Sequence, residues 1–283
     1  MIGDRLQSKL KEVDDFQQKV MNEGANLFKE ILNNDWFDIV RAGVKKVWGG
    51  TGKEPLNCKY VPYRWLVEQD EWNRINPGLI DLEQFTSKKQ YLRKKVVDLI
   101  SDDWMVASAA AFELSALIKF KADGVLKDID PKIIEGKESR ADALIKVNDR
   151  DILVELTTIT KEVVTHYSDS VEVFTIPVER LVYQVVSKIK GKAETQLSIA
   201  EKPVILIISL PQGIGVDQLT ARWAVEENIT NYSKISSIII SDSYRFKYGA
   251  WYFNGNAEFE LNEEEKTYIS NLLLLNTSLA KKS

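Results

Sequence analysis

Two residue types that build many metal sites and nucleophilic centres are almost missing from this chain. Cys58 is its only cysteine and His166 its only histidine. One cysteine excludes a disulfide within the chain and a zinc site made of cysteines. A Ser-His-Asp triad would have to use His166, which lies in a polar stretch with no supporting motif. The candidates for chemistry are therefore mainly carboxylates and lysines.

Long apolar runs and a strong positive charge are missing as well. No run approaches the ~18 apolar residues of a membrane span, and the N-terminus lacks the apolar region of a signal peptide. The formal net charge of −4 excludes bulk electrostatic binding of nucleic acid, although local basic faces remain open. We expect a cytoplasmic protein with no membrane partner.

What the chain does contain is enough apolar material for a packed core. Hydrophobic residues make up 44% of its 283 residues and charged residues 28%, which is typical of a globular protein. Seven Trp, ten Tyr and ten Phe argue against disorder. The length fits one large domain or two modest ones.

Helical periodicity dominates the first hundred residues. Apolar residues recur three or four apart over residues 1–48, which predicts a packed amphipathic hairpin or, alternatively, a coiled-coil surface. Another helix is predicted over Asp81–Leu99, and its second half is basic. That basic half is either a solvated face or a face that contacts phosphates. We assign residues 1–100 to a helical region for recognition, dimerisation or use as a lid.

A glutamate stands out in the next predicted helix, Trp104–Lys121. Glu113 has only small or apolar neighbours three and four positions away, so its carboxylate is predicted to be partly buried. A partly buried carboxylate costs free energy unless it is compensated. Glu113 therefore either serves a function or has a structural explanation. In the structural explanation it is exposed or pairs with a lysine elsewhere.

Two further carboxylates lie in the stretch Ser139–Thr158. Two short apolar runs flank the turn-forming residues 148–151, which predicts a β-hairpin. Asp142 stands at the entry of the first strand, and Glu155 follows three aliphatic residues in the second. A carboxylate inside such a run costs free energy unless it is paired or binds a metal. The hairpin could bring both carboxylates together at one end of a sheet.

Strands and helices alternate around this hairpin. The predicted helices lie at Pro177–Ala200, Asp217–Tyr232 and Glu263–Leu275, and the other predicted strands lie at Asp130–Glu135, Val204–Leu210 and Ile235–Ile240. This alternation predicts an α/β (α+β) fold, a mixed sheet with helices on both faces. The first of these helices carries a polar stripe spaced four apart: Gln184, Lys188, Lys192 and Gln196.

This arrangement resembles the PD-(D/E)xK nuclease superfamily, which has the restriction-endonuclease-like fold. The resemblance covers roughly residues 103–245 and places a nuclease-like domain at 101–283. Ala141 and Asp142 stand where the family has its Pro-Asp pair, and the run from Glu155 to Thr157 stands where it has (D/E)-x-K. Glu113 matches the extra acid that many members carry on the first core helix.

The resemblance implies a metal-dependent nuclease, most often one that acts on DNA. It implies that Asp142, Glu155 and a main-chain carbonyl near Leu156 hold Mg²⁺ or Mn²⁺, with Glu113 at a second ion. Thr157 replaces the usual catalytic lysine, and some members supply that group from the following helix. Lys188 and Lys192 are the candidates for this role here, with Lys161 as a third.

Three hypotheses stay open at this point. In the first hypothesis the chain is an active nuclease whose site contains Asp142 and Glu155. Many nuclease domains of this family act as dimers, so the resemblance also implies a homodimer. Alternatively, it is a nuclease-like module without catalysis that binds nucleic acid or assembles a complex. As a third alternative, it is an unrelated α/β protein whose acidic residues are structural.

Overall fold

The computed structural model describes most of the chain, in two compact units. The described residues are 2–51, 66–67, 71–159, 164–168, 171–175, 178–210, 224–226, 228–241 and 249–272. The units are Met1–Leu114 and Ser115–Ser283, so the division falls inside a helix, later than residue 100. Each unit is described by itself below.

Among the described residues of the first unit, all regular secondary structure is helical. Its helices are α1 (Ile2–Glu23), α2 (Asn26–Ile31), α3 (Asn34–Lys46), α4 (Glu71–Leu82), α5 (Lys89–Leu99) and the first part of α6 (Trp104–Ala122). Helix α1 ends before Gly24, where any Cβ would collide with the Val20 carbonyl oxygen. Asn33 caps α3 by accepting a hydrogen bond from the Trp36 N–H at 3.1 Å. Among the described residues, no helix is both long and apolar enough to cross a membrane.

The prediction of a single helix over Asp81–Leu99 is wrong. Helix α4 ends at Leu82, a short 3₁₀ turn covers Thr86–Lys88, and α5 begins only at Lys89. Helix α4 also contains Pro77, which removes one main-chain hydrogen bond. Burial explains why the helix persists, because its apolar side chains recur on one face and are inaccessible to solvent: Trp72, Ile75, Leu79 and Leu82.

The second unit is built on a mixed sheet. In the described part of the chain, six strands form this sheet in the order β1 (Leu126–Ile129), β2 (Ala143–Val147), β3 (Arg150–Thr158), β6 (Val204–Ser209), β7 (Ser237–Ser241) and β8 (Gly249–Phe253). The pairs β3–β6 and β6–β7 are parallel, and the other pairs are antiparallel. The predicted mixed α/β architecture is therefore confirmed at this level.

Several strands differ from the prediction. The strand predicted at Asp130–Glu135 is wrong, because the first strand is β1 and the chain turns directly after it. Asp130 has a positive φ of 50°, and Pro131 has no N–H to donate to a sheet. Strand β8 and a separate two-stranded sheet of β4 (Val164–Ser168) and β5 (Val171–Thr175) were not predicted.

Helices flank the sheet. Helix α7 (Val178–Glu194) ends earlier than the predicted Ala200, and its apolar stripe packs with Leu153, Leu206 and Ile238 of the sheet. Helix α8 (Glu263–Leu272) contacts β2 and β8. Half of the helix predicted over Asp217–Tyr232, and the residues after 272, lie outside the described residues.

Candidate functional site

The predicted hairpin of β2 and β3 is confirmed. Asn148 and Asp149 form its turn with positive φ values of 45° and 68°, a conformation typical of tight two-residue hairpin turns. Strand register runs from Val147 opposite Arg150 to Ala143 opposite Val154. The sheet extends β3 beyond the hairpin, because β3 also pairs in parallel with β6 up to Thr158.

The end of this hairpin holds Asp142 at the main chain of Leu156, the residue after Glu155. The Asp142 N–H donates to the Val154 carbonyl at 3.1 Å, although Val154 is already the strand partner of Ala143. Two successive residues that share one partner form a β-bulge, so the regular pairing of β2 with β3 ends at Ala143. The Leu156 N–H then donates to Asp142 Oδ2 at 2.7 Å. The side chain of Asp142 is thus held beside β3.

Side chains at the end of helix α7 contact Glu155. Glu155 is only 2% exposed. Its Oε1 accepts a hydrogen bond from Lys192 Nζ at 2.5 Å, and its Oε2 accepts one from Gln196 Nε2 at 2.8 Å. Gln196 Oε1 also accepts from Lys192 Nζ at 2.9 Å. Each of the three side chains, Glu155, Lys192 and Gln196, is therefore hydrogen-bonded to the other two.

Gln196 links this network to the loop that precedes Asp142. Its Nε2 also donates to the Arg140 carbonyl oxygen, two residues before Asp142. Gln196 lies just beyond the end of α7, so its contacts depend on where the helix stops. The four-residue spacing of the polar stripe was the only sequence signal for this residue.

The other lysine candidates lie in different surroundings. Lys188 is half-buried on α7, one turn before Lys192 and on the same flank of the helix. Lys161 lies outside the described residues. Thr157, at the position of the usual lysine, is 8% exposed and points to the same face as Glu155. Of the lysines that the sequence predicts for this role, Lys192 contacts Glu155.

Glu113 lies in the first unit and has partners there. Its carboxylate forms an ion pair with Lys95 of α5 and accepts a hydrogen bond from the Tyr91 hydroxyl at 3.3 Å. The side chains of Glu113 and Lys95 are each 15% exposed. The predicted partial burial of Glu113 is confirmed, whereas its role at a second metal ion stays a prediction.

The oxygen donors of the site suit a hard divalent cation. The Asp142 carboxylate lies at the main chain of Leu156, the residue after Glu155, and carboxylate oxygens are preferred ligands of Mg²⁺. The Leu156 N–H points to the β2 side of its strand, and the N–H and C=O of one strand residue point to the same side. The Leu156 carbonyl is therefore directed to the side where Asp142 lies. Across the described residues, no three His, Cys, Asp or Glu side chains form a group that could hold a metal.

The opposite end of the hairpin carries a carboxylate of another kind. Asp151 accepts hydrogen bonds from Lys127 at 2.8 Å and Lys202 at 3.2 Å. These hydrogen bonds, that from Lys127 first, hold the pKa of Asp151 below its ordinary value despite its partial burial. Two lysines at one carboxylate make an ordinary surface ion-pair cluster.

Comparison with known proteins adds no relative. No protein-family model matches this chain, and no curated protein and no solved structure matches it either. The interpretation of the site therefore depends on the residues and contacts described above.

Proposed function

We propose that this protein is a metal-dependent nuclease with a restriction-endonuclease-like core, and that it hydrolyses phosphodiester bonds in DNA. The observation that carries the proposal is the presence of two acids at neighbouring residues of β3: Asp142, which accepts from the Leu156 N–H, and Glu155, which accepts from the Lys192 ammonium. The order of elements supports it: α6, the strands β1 to β3, then α7 and the buried strand β6. The hairpin of β4 and β5, inserted before α7, is a departure from that order.

The carboxylates and one main-chain carbonyl form the proposed metal site. Asp142, Glu155 and the Leu156 carbonyl would hold Mg²⁺ or Mn²⁺ through hard oxygen atoms. Such an ion lowers the pKa of a bound water and offsets negative charge on phosphate oxygens. The hydrogen bond from the Leu156 N–H to Asp142 Oδ2 orients the Asp142 carboxylate for this task.

Lys192 is the proposed replacement for the lysine that Thr157 does not supply. Its ammonium lies 2.5 Å from Glu155 Oε1, which is within reach of any group bound at that carboxylate. The Lys192 side chain is 27% exposed, so its ammonium could also meet a phosphate that arrives from solvent. In this role Lys192 stabilises charge on the scissile phosphate or orients the attacking water. Lys188, one turn earlier, is the second candidate for the same contact.

DNA as the substrate is supported by local positive charge on a chain that is acidic overall. Between Leu181 and Lys192, helix α7 holds three lysines and no acidic residue. In the first unit, Arg93 and Lys94 are exposed on α5. Both segments offer contacts to phosphates, which supply most of the salt-dependent affinity of nucleic-acid-binding proteins.

Plasmid nicking with single-charge variants tests the proposal. Supercoiled DNA is incubated with Mg²⁺ or Mn²⁺, with EDTA as the metal-free control. Asp142→Asn and Glu155→Gln keep the size of each side chain and remove its charge, so we expect nicking to fall by at least about 100-fold. Asp149→Asn is the matched control, because Asp149 is exposed in the hairpin turn. Circular dichroism of each variant shows whether it is folded.

Two results would contradict the nuclease proposal. The first is the absence of metal-dependent cleavage by the folded wild-type protein on single- and double-stranded DNA. The second is full activity in Asp142→Asn or Glu155→Gln, which would assign any cleavage to another site or to a contaminant.

A module without catalysis is the second candidate function. The contacts of Glu155 favour it, because Lys192 and Gln196 already satisfy this buried carboxylate without any metal. Thr157 favours it too, since the usual lysine is replaced. This candidate predicts salt-sensitive DNA binding that is unchanged by EDTA and by Glu155→Gln.

A further inference from the structure

Both carboxylate oxygens of Glu155 accept hydrogen bonds from side chains at the end of α7. Lys192 Nζ lies 2.5 Å from Oε1, and Gln196 Nε2 lies 2.8 Å from Oε2. The two donors are themselves joined, because Lys192 Nζ donates to Gln196 Oε1 at 2.9 Å. Gln196 therefore helps to hold the Lys192 ammonium at the Glu155 carboxylate.

The burial of Glu155 explains why an ammonium is held there. A carboxylate that is 2% exposed is costly unless a positive charge and hydrogen bonds compensate it. Asp142 is a second acidic group nearby, because its Oδ2 accepts a hydrogen bond at 2.7 Å from the N–H of Leu156, the residue after Glu155. A positive charge at this position therefore stabilises the fold before any ligand arrives.

A divalent cation at Glu155 would meet that ammonium at close range. Two cations bound to one carboxylate group repel each other, and burial makes the repulsion stronger than it is in water. Gln196 differs, because its amide is neutral and can go on donating to Glu155 while a cation is bound. The ammonium of Lys192 is thus the group that a metal ion would displace.

We propose that Lys192 is an internal counter-ion of Glu155 which competes with a divalent cation, and that cation binding releases its ammonium toward the substrate phosphate. The inference rests on the metal site of the proposed function. It adds that metal affinity is set partly by a lysine of this chain. Gln196 acts as a positioning residue that keeps Glu155 oriented during the exchange.

Direct binding of Mn²⁺ to the metal-free protein tests the competition without any cleavage assay. Titration calorimetry and Mn²⁺ electron paramagnetic resonance would compare the wild type with Lys192→Met, which keeps most of the side-chain length but not the charge. We expect Lys192→Met to bind Mn²⁺ about fivefold tighter or more. Lys190→Met is the matched control, since Lys190 is exposed on the same helix, and we expect a change within about twofold.

Thermal unfolding adds a second readout. Metal-free Lys192→Met should unfold at a lower temperature than the wild type, because Glu155 has lost its counter-ion. Mn²⁺ should then raise the unfolding temperature of Lys192→Met more than that of the wild type. Lys192→Gln, which keeps a donor for Glu155, replaces Lys192→Met if that variant does not fold.

The outcomes separate this inference from the nuclease proposal. Equal or weaker Mn²⁺ binding by Lys192→Met or Lys192→Gln would overturn the competition, even if the wild type cleaves DNA. Tighter binding by these variants, in a protein that never cleaves DNA, would support the competition and overturn the nuclease. Mn²⁺ binding that survives Asp142→Asn and Glu155→Gln would place the ion elsewhere and overturn the inference together with the proposed metal site.

Discussion

Glu155 and Glu265 are both buried glutamates of the second unit, and each has a cationic partner, but their surroundings differ. Glu265 lies in the first turn of α8, where its N–H donates to Asn262 Oδ1 at 2.9 Å and its Oε2 accepts from the Asn262 N–H at 2.8 Å. This reciprocal pair is a capping box. Arg150 of the hairpin adds an ion pair at 3.2 Å. Glu265 therefore fastens a helix end to the sheet.

Glu155 has no such local task. It lies inside a strand whose backbone is already paired on both sides, and its partners come from a helix 37 and 41 residues later. A second carboxylate, Asp142, accepts a hydrogen bond from the N–H of the next residue, Leu156, and like charges close together repel each other. No comparable local structural gain explains that cost.

These two glutamates differ in the features that point to function. Burial and an ion pair are common to both residues, so neither separates them. The separating features are the local capping box, which only Glu265 forms, and the second acid, Asp142, held beside Glu155. Functional sites often keep arrangements of this kind at a cost in stability.

The largest expected effect separates the two glutamates by stability and activity. Glu265→Ala removes the capping box and the partner of Arg150, so we expect it to lower the free energy of unfolding by about 2 kcal/mol. Nicking activity per folded molecule should stay close to that of the wild type. Urea unfolding and plasmid nicking measure the two quantities. Loss of cleavage in folded Glu265→Ala would contradict the difference in role between Glu155 and Glu265, since both would then be needed for activity.

A smaller effect is expected from returning a lysine to the strand. Thr157 points to the same face as Glu155, so Thr157→Lys in the Lys192→Met background should raise the nicking rate about tenfold over Lys192→Met alone, equal to about 1.4 kcal/mol. Thr157→Met in the same background is the control for added bulk. A rate no higher than that control would mean that Lys192 does not stand in for the usual lysine.

The smallest effect concerns Tyr268, one turn after Glu265 on α8. Its hydroxyl donates to Asp123 Oδ2 at 3.1 Å, and burial, with the Asp123 charge second, raises the pKa of Tyr268 above its ordinary value near 10. The raised pKa means that its stabilising effect is complete below pH 10 and is lost as the pH rises above that value. We expect Tyr268→Phe to cost about 1 kcal/mol at pH 7 and to flatten the fall in stability above pH 10.

Urea unfolding of both proteins between pH 7 and pH 11 measures this difference. Equal loss of stability in wild type and Tyr268→Phe at high pH would show that Tyr268 does not titrate with unfolding. Nicking at pH 7 should be the same in both proteins, as expected if α8 is purely structural.

Local patterns explain why the hairpin was predictable. Apolar residues on both sides of Asn148 and Asp149 define two strands, and a hairpin with a two-residue turn has only one register that keeps both apolar faces buried. That register ends at Ala143, so the contact of Asp142 with Leu156 depends on a bulge that the pattern does not predict. The prediction of a strand at Asp130–Glu135 failed because it depended on two isoleucines alone. The positive φ of Asp130 and the missing N–H of Pro131 prevent a regular strand there.

The amino-acid sequence by itself thus determined the mixed α/β character and the hairpin, because these depend on periodicity and turns within a few residues. Only the tertiary structure decided which lysine reaches Glu155 and that Gln196 joins it. Those contacts depend on how far α7 slides and turns as its apolar stripe packs on the sheet, and each residue of slip rotates a side chain by about 100°. The same reason applies to Glu113, whose ion pair with Lys95 joins two helices that no local pattern relates.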